Sequence, residues 1–447
     1  MAQDSDALNF LNDLIGRARR AGAEAADAVL VEGVSVSQSQ RLGKFQGLER
    51  SEHYDLGLRV FIGKKQAIVS SNDRSAEAMD ALVTRVIAMA RAVPEDPYCG
   101  LASPDQIAKT WPKLDSCDPE EPAVETLIAR AAAAEDAALA IKGVTNSGGA
   151  GASWGRSHVA VAASNGFAGA YSGSSHGVSV SVLAGKGTGM ERDYDYSSTV
   201  YGADLKDPAE VGRSAGERTV RRLHARKVPT CQVPIVLDPR VSSSLLGHLC
   251  GAINGVPVSR GTSFLKDRMG ERVFAPGINV IEDPHRARGL RSKPFDGEGI
   301  ANQRRALIED GVLTTWLLDL RSARQLNLKT TGHASRGTSS PPGPAPTNLW
   351  MEPGVVTPAE LIGDITRGFY VTEMMGSGVN GLTGDYSRGA AGFWIVNGEF
   401  AFPVSEVTIA GNLKDMFMNL TVASDLKFET GMDAPTIRID GMTLAGA

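Results

Sequence analysis

Strand-like segments follow one another throughout residues 144–183, and this run most constrains how the chain can fold. Val159-Ala-Val161 and Val178-Ser-Val-Ser-Val182 alternate between apolar and small residues, which is the pattern of strands with one buried face. Glycine is frequent, at 50 of 447 residues, and aromatic residues make up only 6%, which favours strands and tight turns over a helical bundle. We therefore expect an antiparallel sheet in the first half of the chain.

The second half carries two strong hairpin signals. Asp310-Gly311 and Asn397-Gly398 each separate two strand-like runs, and such dipeptides readily adopt the positive φ angles of two-residue hairpin turns. Residues 335–347, which are rich in Pro, Ser and Gly, are predicted to form a flexible surface loop. The second half is therefore predicted to be mainly β.

Helices are predicted where apolar residues recur at a spacing of three or four. They cover residues 4–21, 76–93, 124–139, 208–226 and 241–253. Together these patterns predict an α+β fold in two parts. Residues 1–228 form an N-terminal mixed α/β domain with an antiparallel sheet, and residues 229–447 form a C-terminal mainly β domain.

Charge and cysteine content limit the partners and the compartment. The net charge is −5, whereas nucleic-acid-binding domains usually carry a basic excess, so we expect no nucleic-acid partner. The N-terminus lacks an apolar signal core, and no stretch approaches the ~18 apolar residues of a membrane span. The four cysteines form no CxxC pair. We therefore expect a cytoplasmic protein that does not enter the membrane.

Short motifs that match known catalytic patterns lack the required context. Gly151-Ala-Ser153-Trp-Gly155 and Gly173-Ser-Ser175-His-Gly177 match the G-x-S-x-G pattern, but strand-like residues rather than a helix follow each serine. We interpret both as β-turns. Gly376-Ser-Gly378-Val-Asn-Gly381 matches G-x-G-x-x-G, but residues 382–389 are predicted to form a loop instead of the helix that a dinucleotide site needs.

The histidines suggest no local metal site. The closest two, His158 and His176, are 18 positions apart, so no helix presents a pair of histidine ligands. His248 and Cys250 are two positions apart on the predicted helix 241–253 and therefore point to different sides. Taken alone, the residues reveal no catalytic constellation.

An ordered series of short motifs nevertheless resembles a known family. It comprises Leu245-Leu-Gly-His-Leu-Cys-Gly251, Arg260-Gly-Thr-Ser263, Phe295-Asp-Gly-Glu-Gly299, Asn348-Leu-Trp-Met-Glu-Pro-Gly354, Val379-Asn-Gly-Leu-Thr-Gly-Asp385 and Gly398-Glu-Phe-Ala-Phe-Pro-Val404. The series is similar to that of the TldD/PmbA family of metallopeptidase proteins, and in detail to its PmbA branch, also called TldE. Gly57-Leu-Arg-Val60 extends the resemblance into the first half.

This resemblance implies a heterodimeric peptidase that acts on unfolded peptides and small proteins. The TldD-type subunit carries an HExxxH helix, whose two histidines bind zinc together with a later cysteine, while the glutamate acts on the bound water. An older family label, modulator of DNA gyrase, is interpreted as an indirect association, because this chain lacks a basic surface signal.

The chain departs from that catalytic pattern. When Arg260-Gly-Thr-Ser263 is used as the anchor, the two histidine positions become Leu246 and Gly251, and the glutamate position becomes Gly247. These three are vestigial metal-site positions on a helix that we expect to pack against the C-terminal sheet. No cysteine follows Cys250, so the third ligand is missing as well. We expect no zinc in this chain.

Three hypotheses for function follow. The first is a non-catalytic partner subunit of a TldD-type zinc metallopeptidase, which uses exposed strand edges to hold extended peptide; whether it forms a homodimer when alone is left open. The second is a standalone peptide hydrolase with a rebuilt site around His248 and Cys250, to which His285 or His333 could be added. The third is a peptide-binding module without enzymatic activity.

Overall fold

Among the described residues, the first half of the chain forms one antiparallel sheet and four α-helices. The computed structural model describes residues 2–446. The strand order is β3-β2-β1-β4-β5-β6. These strands are β1 (Ala25–Arg41), β2 (Lys44–Ile62), β3 (Lys65–Ser71), β4 (Val144–Ala163), β5 (Ala168–Ala184) and β6 (Glu191–Thr199). The helices are α1 (Ala2–Arg20), α2 (Ala76–Ala92), α3 (Val124–Leu139) and α4 (Pro208–Arg221).

All four helices cover one side of this sheet, called here the helix-bearing face. Because side chains alternate along a strand, the even-numbered residues of β1 point to this face. Leu30 packs with α1 and α2, whereas Val36 packs with α3 and α4 farther along the same strand. The two helix pairs therefore form separate cores, and the part of the face between them stays uncovered.

The opposite face of the sheet packs against the second half of the chain. Val29 and Val161 lie in one apolar cluster with Phe167 and with Phe295 from the second half. Nearby, the buried Asp27 carboxylate accepts hydrogen bonds from Arg59 of the neighbouring strand and from Arg336 of the second half, the latter at 2.8 Å. Apolar packing and buried ion pairs thus join the two halves.

The second half contains a β-barrel with a smaller sheet beside it. The larger sheet has the order β16-β15-β14-β7-β19-β17, and an additional pairing between β16 and β19 closes its first five strands into a barrel. The smaller sheet has the order β10-β9-β8-β13-β18, and β11 pairs with β12. Bounds in the larger sheet are β7 (Cys231–Leu237), β14 (Arg367–Val379), β15 (Asp385–Val396), β16 (Glu399–Asn412), β17 (Leu420–Val422) and β19 (Ile437–Ala445). Bounds of the other strands are β8 (Val280–Asp283), β9 (Arg305–Glu309), β10 (Val312–Leu313), β11 (Ala334–Ser335), β12 (Gly343–Pro344), β13 (Asn348–Met351) and β18 (Met432–Asp433).

Five further helices complete the second half. They are α5 (Pro239–Ala252), α6 (Gly255–Ser259), α7 (Leu320–Gln325), α8 (Pro358–Gly363) and α9 (Leu413–Met418). Helix α5 follows β7 directly and contacts β14 of the barrel and β13 and β18 of the smaller sheet. Within residues 2–446, no helix is long and apolar enough to cross a membrane.

The predicted fold class is confirmed, since an α+β N-terminal half with an antiparallel sheet precedes a β-rich C-terminal half. Both predicted hairpins are present, with φ of 46° at Asp310 and 49° at Asn397. Helix α4 ends five residues before its predicted end at 226. His224 has a φ of 65°, which an α-helix cannot accommodate.

Three local predictions are wrong. Both G-x-S-x-G strings lie inside paired strands, where Ser153 of β4 stands opposite Gly177 of β5, so neither is a turn. Residues 385–389 belong to β15 instead of a loop. Residues 335–347 include part of the short β11–β12 pair, and the side chain of Arg336 is 2% exposed because it reaches the buried Asp27. Contacts with the distant N-terminal sheet order part of this segment despite its composition.

Candidate functional site

Helix α5 carries the sequence that the resemblance singles out. Asp238 caps it by accepting a hydrogen bond from the Arg240 amide at 3.0 Å, and Pro239 occupies the first helical position. Leu245 and Leu249 are buried and anchor the helix in the core of the second half. The local sequence thus explains both where α5 begins and which side of it faces inward.

The positions that the resemblance predicts to be vestigial metal-site positions lie on two different sides of α5. Leu246 is fully buried and packs in the core. Gly247 and Gly251 are exposed and four residues apart, so they share one side of the helix. A Cβ atom at either glycine would meet nothing within 4 Å. The space beside these two glycines is therefore open.

His248 lies next to the barrel. Its ring meets the Tyr386 ring edge-to-face, with 5.8 Å between centroids, and its buried Nε2 has no hydrogen-bond partner. Burial lowers the pKa of His248, and the nearby Arg388 lowers it further. The Tyr386 hydroxyl is 3.1 Å from the Met374 sulfur. Neither the Tyr386 ring nor the Met374 sulfur would orient the His248 imidazole as a metal ligand.

The other alternative site residues have separate environments. Cys250 faces the core, and burial raises the pKa of its thiol to about 12, with a further increase from Glu282. His333 is buried, with Nδ1 2.7 Å from the Thr331 hydroxyl and Nε2 3.2 Å from the Glu282 carboxylate. His285 Nε2 lies 2.7 Å from the Asn302 side-chain oxygen. His285 and His333 are therefore each hydrogen-bonded to neighbouring side chains, and these side chains do not include His248 or Cys250.

The residues present on α5 do not fit a zinc ion. Leu246, Gly247 and Gly251 offer no donor atom, and Cys250 points into the apolar core away from the open side. Within residues 2–446, no three His, Cys, Asp or Glu side chains are arranged to hold a metal ion. We therefore derive no metal-dependent step from this chain.

A cavity of about 1090 Å³ lies on the helix-bearing face, in the gap between the α1–α2 pair and the α3–α4 pair. Its wall includes the guanidinium of Arg74, which stacks on the Tyr54 ring at 3.7 Å and pairs with Glu32. His158 is buried there, with Nε2 2.8 Å from the Asp4 carboxylate. Sequence analysis missed this cavity, because its lining comes from separate segments that share no motif.

Comparison with known proteins identifies the class. Models of the PmbA/TldA metallopeptidase domains match the chain in order along its length. Domain 1 matches residues 26–90, the central domain residues 117–223, and the C-terminal domain residues 230–446. The chain belongs to the PmbA/TldD metallopeptidase family.

Individual relatives agree with this assignment. The chain is 37% identical to the metalloprotease PmbA of Escherichia coli O157:H7, over 95% of this chain and 93% of the relative. It is 34% identical to a metalloprotease PmbA homolog of Haemophilus influenzae, over 100% and 97% of the two chains.

Solved structures share the fold across its whole length. A crystal structure from Bacteroides thetaiotaomicron, provisionally described as a modulator of DNA gyrase, superposes with a TM-score of 0.91 at 26% identity, with 98% of each chain covered. TldE from Thermococcus kodakarensis superposes with a TM-score of 0.88 at 18% identity, with 98% of this chain and all of that chain covered. The latter likeness concerns the fold alone.

Proposed function

We propose that this chain is the non-catalytic partner subunit of a cytoplasmic, TldD-type zinc metallopeptidase that processes unfolded peptides and small proteins. The observation that carries the proposal is on α5, where the helix is kept but the vestigial positions hold Leu246, Gly247 and Gly251. Leucine and glycine cannot bind zinc or activate water, so catalysis is assigned to a partner that bears the HExxxH sequence.

The open side of α5 supports a role beside a catalytic subunit. Exposed Gly247 and Gly251 leave a helix surface without side chains, next to which another backbone can approach closely. A standalone hydrolase would need His248 and Cys250 in one site, together with His285 or His333, and the contacts described above give this arrangement no support.

The sheet of the first half offers an edge for holding extended peptide. Strand β2 pairs with β3 only from Leu56 onward, so residues 44–55 have no strand on their outer side among the described residues. An extended peptide can add to such an edge through main-chain hydrogen bonds, which need no particular side-chain sequence. This property suits a protein that handles many unfolded substrates.

The test is reconstitution with an HExxxH-bearing TldD-type subunit. We expect the purified chain to contain near-zero zinc by elemental analysis and to leave unfolded casein intact. The mixture should hydrolyse casein, contain about one zinc per heterodimer, and lose activity when a chelator removes the metal.

A matched control uses a catalytic subunit whose HExxxH glutamate is replaced by glutamine. That mixture should assemble on a sizing column but remain inactive. Chelator-sensitive casein hydrolysis by the present chain alone would contradict the proposal, as would full activity of the TldD-type subunit without this chain.

A further inference from the structure

A second cavity, of about 460 Å³, lies where α3, the start of the β5–β6 pairing and the segment before α3 meet. Its lining includes Arg130 of α3, His176 of β5, Asp118 and Glu120 of the segment before α3, and Gly202. These residues come from separate segments of the first half that the fold brings together.

Two side chains in this cavity each carry a buried nitrogen without a hydrogen-bond partner. His176 is 3% exposed; its Nε2 lies 3.1 Å from an Asp118 oxygen, whereas its Nδ1 has no hydrogen-bond partner. Nη1 of Arg130 is buried and has no hydrogen-bond partner. Buried polar groups are nearly always hydrogen-bonded, so unpartnered nitrogens from two separate elements indicate a missing ligand.

The two side chains lie close together beside Gly202. A Cβ atom at this glycine would lie 3.0 Å from His176 Nδ1 and 3.3 Å from Arg130 Nη2. Any side chain at position 202 would therefore intrude between the imidazole and the guanidinium.

The Asp118 carboxylate is already engaged by other donors. It accepts hydrogen bonds from the amides of Gly202, at 2.9 Å, and Glu120, at 3.0 Å. Burial lowers the pKa of Arg130, and Asp118 is the charge that opposes this effect. An added acceptor oxygen would provide Nη1 of Arg130 with the hydrogen-bond partner that it lacks.

We propose that this cavity binds the carboxylate of a small ligand with an apolar body. A guanidinium recognises a planar carboxylate through parallel hydrogen bonds. The remaining wall includes Pro119, Pro122 and Ala203, which suit an apolar group next to that carboxylate. The acidic Asp118 and Glu120 in the same lining disfavour a doubly charged phosphate. The carboxylate comes either from the C-terminus of a peptide or from a free small acid.

The test measures binding to the isolated full chain, so it does not depend on a catalytic partner or on hydrolysis. The probes are propionate with its neutral match, propionamide, and the peptide Ala-Ala-Val with its C-terminal amide. Binding is followed by the NMR signals of ¹³C-labelled histidine, with His176 assigned through His176→Gln. We expect at least one of the two acids to shift the His176 signal. The concentration of acid that gives half of the full shift should be at least tenfold lower than the concentration of the matching amide.

Variants locate the binding. Arg130→Met should abolish the preference for the acid, whereas Arg213→Met, which removes an exposed arginine from α4, should preserve it. Gly202→Ala should block binding by filling the space beside His176. A preference for free-acid peptide identifies a peptide C-terminus as the ligand, and a preference for propionate alone identifies a free acid. Equal binding of acids and amides in the unmodified chain would overturn the proposal, as would an acid preference that survives Arg130→Met.

Discussion

Glycines inside helices have opposite consequences at different positions of this molecule. Gly247 in the middle of α5 faces open space, whereas a Cβ at Gly212 of α4 would lie 2.1 Å from the Ala134 backbone oxygen of α3. Glycine at position 212 therefore lets two helices pack closely, while glycine at position 247 has no packing role in the isolated chain. The sequence alone places both Gly212 and Gly247 in helices, but it does not show which of them packs against a neighbouring helix.

We expect Gly247→Ala to raise the free energy of unfolding by about 0.5–1 kcal/mol, because alanine restricts the unfolded chain and fits the open site. Gly212→Ala should lower it by about 1–3 kcal/mol through overpacking between α3 and α4. Urea unfolding of both variants provides the comparison. If Gly247→Ala lowered the free energy of unfolding, the space beside Gly247 on α5 would not be open.

At the scale of elements, the β1–β2 hairpin is held by a buried carboxylate. Glu135 of α3 accepts hydrogen bonds from the amides of Leu42, at 2.7 Å, and Gly43, at 2.9 Å, and from the Gln40 side chain. Burial raises the pKa of Glu135, but its hydrogen bonds outweigh burial and lower the pKa overall, so the carboxylate stays charged. The end of the hairpin is thus fixed, although Leu42 and Phe45 are exposed.

The backbone direction along β2 predicts which residues can bind a peptide. The amide of Ser164 donates to the carbonyl of Ala26, so the even-numbered residues of β1 bond to β4 and the odd-numbered residues bond to β2. Leu48 stands opposite the even-numbered Gln38, so its own backbone groups point outward to the free edge. This free backbone is where a peptide strand would attach.

We expect Leu48→Pro to remove one outward N–H while the pairing between β1 and β2 remains intact. In the reconstituted peptidase, casein hydrolysis by this variant should fall severalfold below that of Leu48→Ala, the matched control that keeps the N–H. Thermal unfolding of both variants checks that the fold is retained. Equal activities would exclude this edge as a peptide-binding element.

At the scale of the whole molecule, buried charges lie between the two halves. Burial raises the pKa of Glu298 to about 8, despite Arg59 at 3.8 Å, and raises that of Asp296 to about 6. The pKa of Glu298 is therefore higher in the native state than in the unfolded chain, so the native state binds this proton more tightly between about pH 4.5 and pH 8. This carboxyl makes the protein less stable as the pH rises through that window.

We expect Glu298→Gln, which cannot ionise, to remove this loss. We expect the natural sequence to lose about 1–3 kcal/mol more unfolding free energy than the variant when the pH rises from 5 to 8. Glu49→Gln on the exposed part of β2 serves as the control and should show no such trend. A difference that stays constant with pH would mean that Glu298 is ionised in the native protein.

The sequence by itself determined the features that depend on near neighbours. The Asp310-Gly311 and Asn397-Gly398 turns and the span of α3 are properties of short segments. The series of motifs that indicated the family is likewise made of short segments. Periodicity likewise predicted a mainly β second half.

Only the tertiary structure decided which distant segments meet. Barrel closure by β16 and β19, the burial of Arg336 against Asp27, and the convergence of Arg130 with His176 all join residues separated by tens to hundreds of positions. Such contacts depend on packing between elements, and the pattern within any one segment does not encode them. Residues 335–347 illustrate the reason, because their composition favours a flexible loop whereas the ion pair with a strand on the other half holds Arg336 in place.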